Sequence, residues 1–541
     1  MAKIQYLIPV MAFAAVLFLV GFLHFRIQFA VAIYRLTFHP LARYPGPWYA
    51  AISEISNIYS CLNGERHLQF KSWHDRYGSV VRYAPNRLSF CDKDAIQDIY
   101  GVRSNTQKSR VYGGFNHIFK ASASLTCIDR SQHSFKRKIL NVALQPIKLK
   151  NFEKHVLRNL KIFIDNVLTD ASGAEWSRPR NLSEIIQFLF TDIMGDMMFS
   201  QNWNVQTSDS KRWILDILIL GTSGLHAAGH MILALKLNLD MFLVPKTMAA
   251  TRRFLAIARS QCEEHIRKDR TYGEHADLFS LFIQASNIND PKSDRQSYAF
   301  TMDDLVAETG ILIIAGADTT ATTVTATLYY LLQNPEILQQ VQSEVDEAFS
   351  RIKKLGLEFE TSEGLSSCQL LRACTEETMR LSPPVAGLLP REVLQGGLLI
   401  ANRWSVPAGV DVGVPVYAIH HNEKYWESPH HFDPMRWIER YRKDCRHTFM
   451  PFGVGRTGCV GKQLAYNEIS LVLARILWTY DLEMMPSSQS SGSGFGGNFN
   501  GSWGRGNKDE FQTRDFFTSS HHGPIVRFRK RLSSAAISPD G

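Results

Sequence analysis

The chain opens on an unbroken apolar run, Ile4 to Leu23, in which no residue is charged. Wound as a helix, this run spans about 30 Å, the depth of a bilayer core. A secretory signal has a shorter apolar centre and a small-residue cleavage site; no such site follows here. Arg26, Arg35 and Arg43 flank the run on its carboxyl side, against Lys3 on the other. That bias keeps the body of the protein cytosolic. The pattern predicts an uncleaved anchor over residues 1–25 and a basic, proline-rich hinge over 26–50, where Pro45, Gly46 and Pro47 cannot continue a helix. A cytosolic body leaves the sequons at Asn181 and Asn500 unglycosylated.

Past residue 50 the apolar positions keep a helical period. Residues 157–168, 183–199, 253–268 and the long run from Met302 to Phe349 place apolar side chains at i, i+3 and i+4. Strand-like pieces are short: 79–84, 87–91, 396–400 and 411–417. The prediction is a mostly helical body with a small β part, built as one large domain over 51–541. Within it, residues 486–507 are rich in Gly, Ser and Asn and read as a flexible loop. Segment 228–244 is apolar on every face, which suits a core helix or a second surface dipping into a membrane.

Composition narrows the class. Of 541 residues, 45% are hydrophobic and 21% charged, enough for a large core and incompatible with global disorder. The net charge of +9 is small for this length; it suits an anionic lipid or acidic protein surface and gives no case for nucleic acid. Eight cysteines include no Cys-x-x-Cys pair and no zinc-like spacing with histidine, which argues for a reducing compartment with one cysteine set apart. That cysteine is Cys459, in PFGVGRTGCVGK (451–462). Gly453, Gly455 and Gly458 permit tight turns beside a bulky partner, and a helical run begins just after it. A thiolate before a helix amino terminus is stabilised by free amides and the helix dipole. It reads as a metal ligand or a nucleophile.

Phe452-x-x-Gly455 followed by Cys459-x-Gly461 resembles the heme-binding loop of the cytochrome P450 family, the heme-thiolate monooxygenases. The resemblance implies that the Cys459 thiolate is the axial ligand of the iron of heme b, with Phe452 and Gly461 shaping the loop. The family usually has arginine two residues before the cysteine, against a heme propionate. Thr457 holds that place here, and Arg456 stands one step earlier. AGADTT (315–320) lies inside the long helical run. On propensity Gly316, Asp318 and Thr319 suit a kinked helix with side-chain back-bonding. The resemblance makes them an oxygen-activating site, with Gly316 opening a groove and Asp318 and Thr319 passing protons. Glu377 and Arg380, with Arg436 in Phe432-x-Pro434-x-Arg436-Trp437, resemble the family's buried structural triad; Met435 stands where the family often has glutamate. His133 and Arg137, at i and i+4, and Arg391 resemble further propionate contacts.

These motifs span residues 34 to about 480 in the family's order, and the HPL…YPGP elbow resembles that of fungal microsomal members. The implied fold is the family's triangular helical prism with an N-terminal transmembrane helix in the endoplasmic reticulum membrane. The implied reaction uses dioxygen and electrons from NADPH, delivered by a flavoprotein reductase whose acidic face would meet Arg456 and Lys462. Family position places Tyr112, Phe115, Phe119, Ile311, Leu312, Val385 and Leu388 around the substrate. Their apolar character favours hydroxylation of a hydrophobic terpenoid, polyketide or alkaloid of secondary metabolism. An aromatic-acid hydroxylase is the alternative and needs a buried base in the pocket. A heme isomerase or dehydratase of the same fold needs no Asp318–Thr319 pair.

Overall fold

A computed structural model describes residues 2–167, 175–239, 245–269, 277–286, 300–354, 364–438, 447–486, 505–507 and 509–531. The low-complexity stretch, apart from its two ends, and the sequon at Asn500 lie outside these residues.

The first helix does not stop where the apolar run ends. Helix α1 (Ala2–Thr37) continues through Arg26 and Arg35, because no proline follows Pro9 before Pro40. Residues Leu17–Thr37 within it are long and apolar enough to cross a membrane. The chain leaves the helix at Phe38, within the elbow. It is also fastened down: Arg35 donates to the Ile52 carbonyl, and Arg82 Nη1 donates to the Arg35 carbonyl at 2.7 Å. The Arg82 amide reaches the Pro45 carbonyl at 2.7 Å. A Cβ on Gly46 would lie 2.4 Å from the Arg82 oxygen, which is why glycine sits between the two prolines.

The body is mostly helical. Its principal helices are α2 (Ile55–Asn63), α3 (Tyr112–Phe119), α4 (Arg130–Ala143), α5 (Pro146–Ile162), α6 (Leu182–Phe199), α7 (Trp213–Gly229), α8 (Pro245–Asp269), α9 (Met302–Gln333), α10 (Pro335–Lys354), α11 (Gln369–Leu381) and α12 (Lys462–Thr479). The single helical run expected from Met302 to Phe349 is two helices, because Pro335 has no amide to continue α9 and instead opens α10. The helix expected over 157–168 is the end of α5, passing into a π-turn at Phe163–Val167. Segment 228–244 is divided: Ala228 and Leu235 are buried, whereas Leu237 and Leu239 are exposed.

Twelve short strands are described: β1 (Val80–Ala84), β2 (Arg87–Phe90), β3 (Thr106–Lys108), β4 (Arg180–Asn181), β5 (Arg391–Val393), β6 (Leu398–Ile400), β7 (Trp404–Val406), β8 (Asp411–Gly413), β9 (Tyr480–Met484), β10 (Arg514–Phe516), β11 (Thr518–Ser520) and β12 (Ile525–Lys530). The main sheet runs β1-β2-β8-β5-β3. The strand expected over 411–417 stops at Gly413, and Val416 starts a short helix. The largest apolar core gathers α6, α9 and α12. The middle of α9 and the loop entering α12 are the parts that matter for chemistry.

Candidate active site

Cys459 lies in a loop shaped by its own backbone. Its amide donates to the Phe452 carbonyl at 2.7 Å, and the Gly458 amide to Gly455 at 3.1 Å. Gly455 has φ +70°, and a Cβ there would fall 2.0 Å from the Tyr100 carbonyl oxygen. No other residue fits this crossing. The Cys459 side chain is exposed, but enclosing protein raises its pKa by desolvation. The Gly461 amide, then Arg137 and Lys462, oppose that rise by favouring the thiolate. Gly461 is also the N-cap of α12.

Beside this loop the sheet register assembles positive charge. Lys108 on β3 pairs directly with Arg391 on β5. Like charges in cross-strand register repel unless something anionic lies between them. A cavity of about 40 Å³ is lined by Lys108, Arg130, His133, Arg391, Arg456 and Thr457 among others, with no carboxylate among its described lining residues. Burial and the neighbouring Arg391 push the Lys108 ammonium down to about 7. Burial, then Lys108, Arg137, Arg391 and Arg456, push His133 to about 3. Arg391 Nη2 donates to Thr457 Oγ1 at 2.7 Å, so Thr457 orients one arginine while Arg456 supplies another. Arg137 braces the loop, donating to the Gly458 carbonyl.

Helix α9 is buried along most of its length, and Ile314, Ala315, Gly316, Asp318 and Thr319 at its centre are only partly buried. Thr319 Oγ1 donates back to the Ala315 carbonyl at 2.6 Å, and Thr323 to Thr319 at 2.9 Å. Asp318 hydrogen-bonds Thr518 on β11, but loss of solvation dominates and raises its carboxyl to about 6. At Gly316, where the resemblance implies a groove, the position of the missing Cβ is only 2.4 Å from Met194 Sδ of α6. That glycine lets two helices approach.

Comparison with known proteins settles the family. The cytochrome P450 family model matches residues 44–493. The chain belongs to the cytochrome P450 family. It is 33% identical to the cytochrome P450 monooxygenase poxM of Penicillium oxalicum, over 93% of this chain and 92% of that one. It is 34% identical to the cytochrome P450 monooxygenase AKT7 of Alternaria alternata, over 93% and 95% respectively. Its fold matches the crystal structure of the cytochrome P450DA heme domain with a TM-score of 0.69 at 17% identity, covering 87% of this chain and 94% of that one. The protein is a heme-dependent P450 monooxygenase. The donor set fits the cofactor: a thiol at a helix start for iron, and a carboxylate-free cationic cavity for two propionates.

Away from the heme site, Glu377 is fully buried and accepts from Arg380 at 2.8 and 2.9 Å, from Arg436 at 3.1 Å and from Trp437 at 2.8 Å. Burial alone would raise its carboxyl; Arg380 and Arg436 hold it below the ordinary range. The expected pocket residues divide. Phe115, Phe119 and Ile311 form one apolar cluster with Ala307, and Phe517 packs against it. The Tyr112 ring meets Phe517 edge-on at 6.5 Å. Leu312 instead packs on the main helical core, and Leu388 points into a cluster with Phe70, Trp73 and Tyr83. Neighbouring positions on a helix or an extended segment face different ways. Val385 is half-buried and belongs to neither cluster. Sequence reasoning missed Lys108 and Phe517. Phe517 holds φ +79°, a rare conformation for a bulky residue, at the tip of the β10–β11 hairpin. Neither carries a motif; only the sheet register and the hairpin turn bring them in.

Proposed function

We propose that the chain hydroxylates a hydrophobic small molecule of secondary metabolism, with Cys459 as the iron ligand and Asp318 and Thr319 as the proton pair. Heme iron, when bound, activates dioxygen so that one oxygen atom enters a C–H bond of the substrate. Lys108, His133, Arg391 and Arg456 would hold the propionates, Arg137 fixes the loop carbonyl, and the Gly461 amide favours the thiolate against the rise that burial causes. The observation that carries this reading is the partly buried centre of an otherwise buried helix, where Thr319 stands next to a carboxyl near pKa 6. Such a carboxyl can take and give a proton near neutrality. Phe115, Phe119, Ile311 and Phe517 exclude water from the substrate side. Electrons come from a membrane-bound flavoprotein reductase using NADPH, steered by Lys462 and Arg456. The site is the endoplasmic reticulum membrane, with α1 as the anchor and the rest of the chain as one catalytic domain.

The test is a carbon-monoxide difference spectrum of the reduced protein. A strongly red-shifted Soret band is expected, and its loss in Cys459→His with heme retained assigns the ligand. An unshifted band in the unaltered protein overturns it.

A further inference from the structure

We propose that His421, His430 and Glu510 form a divalent transition-metal site, with zinc as its ion, which clips the segment after β8 to the C-terminal segment. One ligand atom from each of the three residues lies within 4.8 Å of the others. Two imidazoles and a carboxylate, with water as a fourth ligand, are a common zinc donor set. Contraction by about 1 Å brings them to the separations a tetrahedral zinc requires. His430 is exposed and can supply that movement.

The hydrogen bonding around the site is that of a ligand shell. His421 Nδ1 sits 2.9 Å from the Tyr417 carbonyl, which accepts its proton. That tautomer leaves the Nε2 lone pair free, and this atom is buried without a partner. Metal-bound histidines are oriented in the same way, by donation of the second ring nitrogen to a carbonyl. Glu510 is held by the Tyr417 hydroxyl, which donates to Oε1 at 2.7 Å. The backbone is prepared as well. Arg380 donates to the carbonyls of His420, Pro429 and His431 at 3.0, 2.6 and 3.2 Å, so one guanidinium fixes the chain on both sides of the two ligands.

The nearby cations are each answered by a carboxylate: Lys71 by Asp75 at 2.6 Å, Arg380 by Glu377 at 2.8 Å, and Arg505 by Glu65 at 3.7 Å. A second cluster, Cys61, His226 and His230, is less suited. There Asn57 Nδ2 donates to His230 Nδ1 at 3.0 Å and occupies its lone pair, and burial pushes the Cys61 thiol up to about 12.

The test uses the full-length heme-loaded protein without a histidine tag. It is stripped with chelator, equilibrated with zinc chloride, gel-filtered, and assayed for zinc by mass spectrometry, with affinity from competition against a chromophoric chelator. One zinc per chain is expected, with nitrogen and oxygen ligands at the zinc X-ray absorption edge. His430→Ala, at an exposed position, and Glu510→Gln should each lower the affinity at least about tenfold. The carbon-monoxide spectrum of both variants should be unchanged, which shows that heme and fold are retained. No zinc after gel filtration, or equal affinity in both variants, overturns the proposal. Neither outcome bears on the monooxygenase assignment.

Discussion

Asp318 and Lys108 show how single buried groups set the working range of this site. The Asp318 carboxyl titrates near 6, above its ordinary value of 3.8, because its surroundings desolvate it. It is mostly protonated below pH 6 and ionised above. Product formed per NADPH should therefore change through pH 6, and Asp318→Asn should abolish that step while lowering turnover by roughly 10²-fold or more, the usual share of a positioned acid. Thr319→Ala should retain heme and substrate binding but divert NADPH to hydrogen peroxide, read by peroxide assay; unchanged coupling would remove Thr319 from the proton pair. Lys108 has the opposite sign. Its folded pKa, about 7, lies below the ordinary 10.5. The stability cost of the buried charge is full below pH 7 and fades as pH rises towards 10. Lys108→Met should therefore raise the melting temperature of the heme-free protein at pH 6.5, with a gain that shrinks by pH 10. The same change should speed heme loss to apomyoglobin, since a propionate partner is gone. A variant that is more stable and retains heme equally well would separate Lys108 from the cofactor.

At the scale of elements, the network around α11 is the clearest structural liability. Glu377 bonds two guanidiniums, the Trp437 ring nitrogen and the Asp433 amide, all in the interior. Removing one partner of such a pair leaves the other charges buried and uncompensated, at roughly 3–5 kcal/mol. Glu377→Ala should lose heme and unfold at distinctly lower urea, followed by the Soret band; Glu377→Gln, which keeps one acceptor oxygen but sets an amide donor against the donors that met the other, should fall between. What the sequence made legible follows the same logic of locality. Cys459 with its glycines, Asp318 with Thr319, and Glu377 with Arg380 each announce themselves within a few residues, and the helical period of 183–199 needs no partner to be seen. Lys108 and Phe517 do not, because their meaning comes from a strand paired across 283 positions and from the tip of a hairpin. Leu312 and Leu388, expected beside the substrate, pack on the main helical core and on the cluster of Phe70, Trp73 and Tyr83. An apolar residue beside a pocket and one turned into the adjacent core look alike in sequence, and only packing separates them. The part Gly316 plays in the close approach of Met194 is likewise visible only once α6 is packed against α9. Pro335 was the one error that local rules could have prevented.

At the scale of the whole molecule, the exposed apolar surface extends beyond the candidate anchor. Helix α1 rises about 54 Å over its 36 residues, more than a bilayer core is deep. Its end is tied to the body through Arg35 and Arg82. That tie limits how far the body can tilt away from the bilayer. Close to it Phe38, Trp48 and Tyr49 are exposed, and on α2 Ile55, Tyr59 and Leu62 form an exposed stripe at i, i+4 and i+7. Asn57 of the same helix bonds His230, just before the segment whose Leu237 and Leu239 are also exposed. Aromatic and aliphatic side chains of this kind suit the headgroup boundary. Removal of residues 1–37 should therefore release only part of the protein from microsomes, and high salt should not release the remainder, since its contact is apolar and not ionic. Adding Trp48→Glu and Ile55→Glu to the truncated chain should move that remainder to the supernatant while the carbon-monoxide spectrum stays unchanged. Complete release by truncation alone would confine the membrane contact to α1, and the exposed stripe on α2 would then need another explanation, such as contact with the reductase.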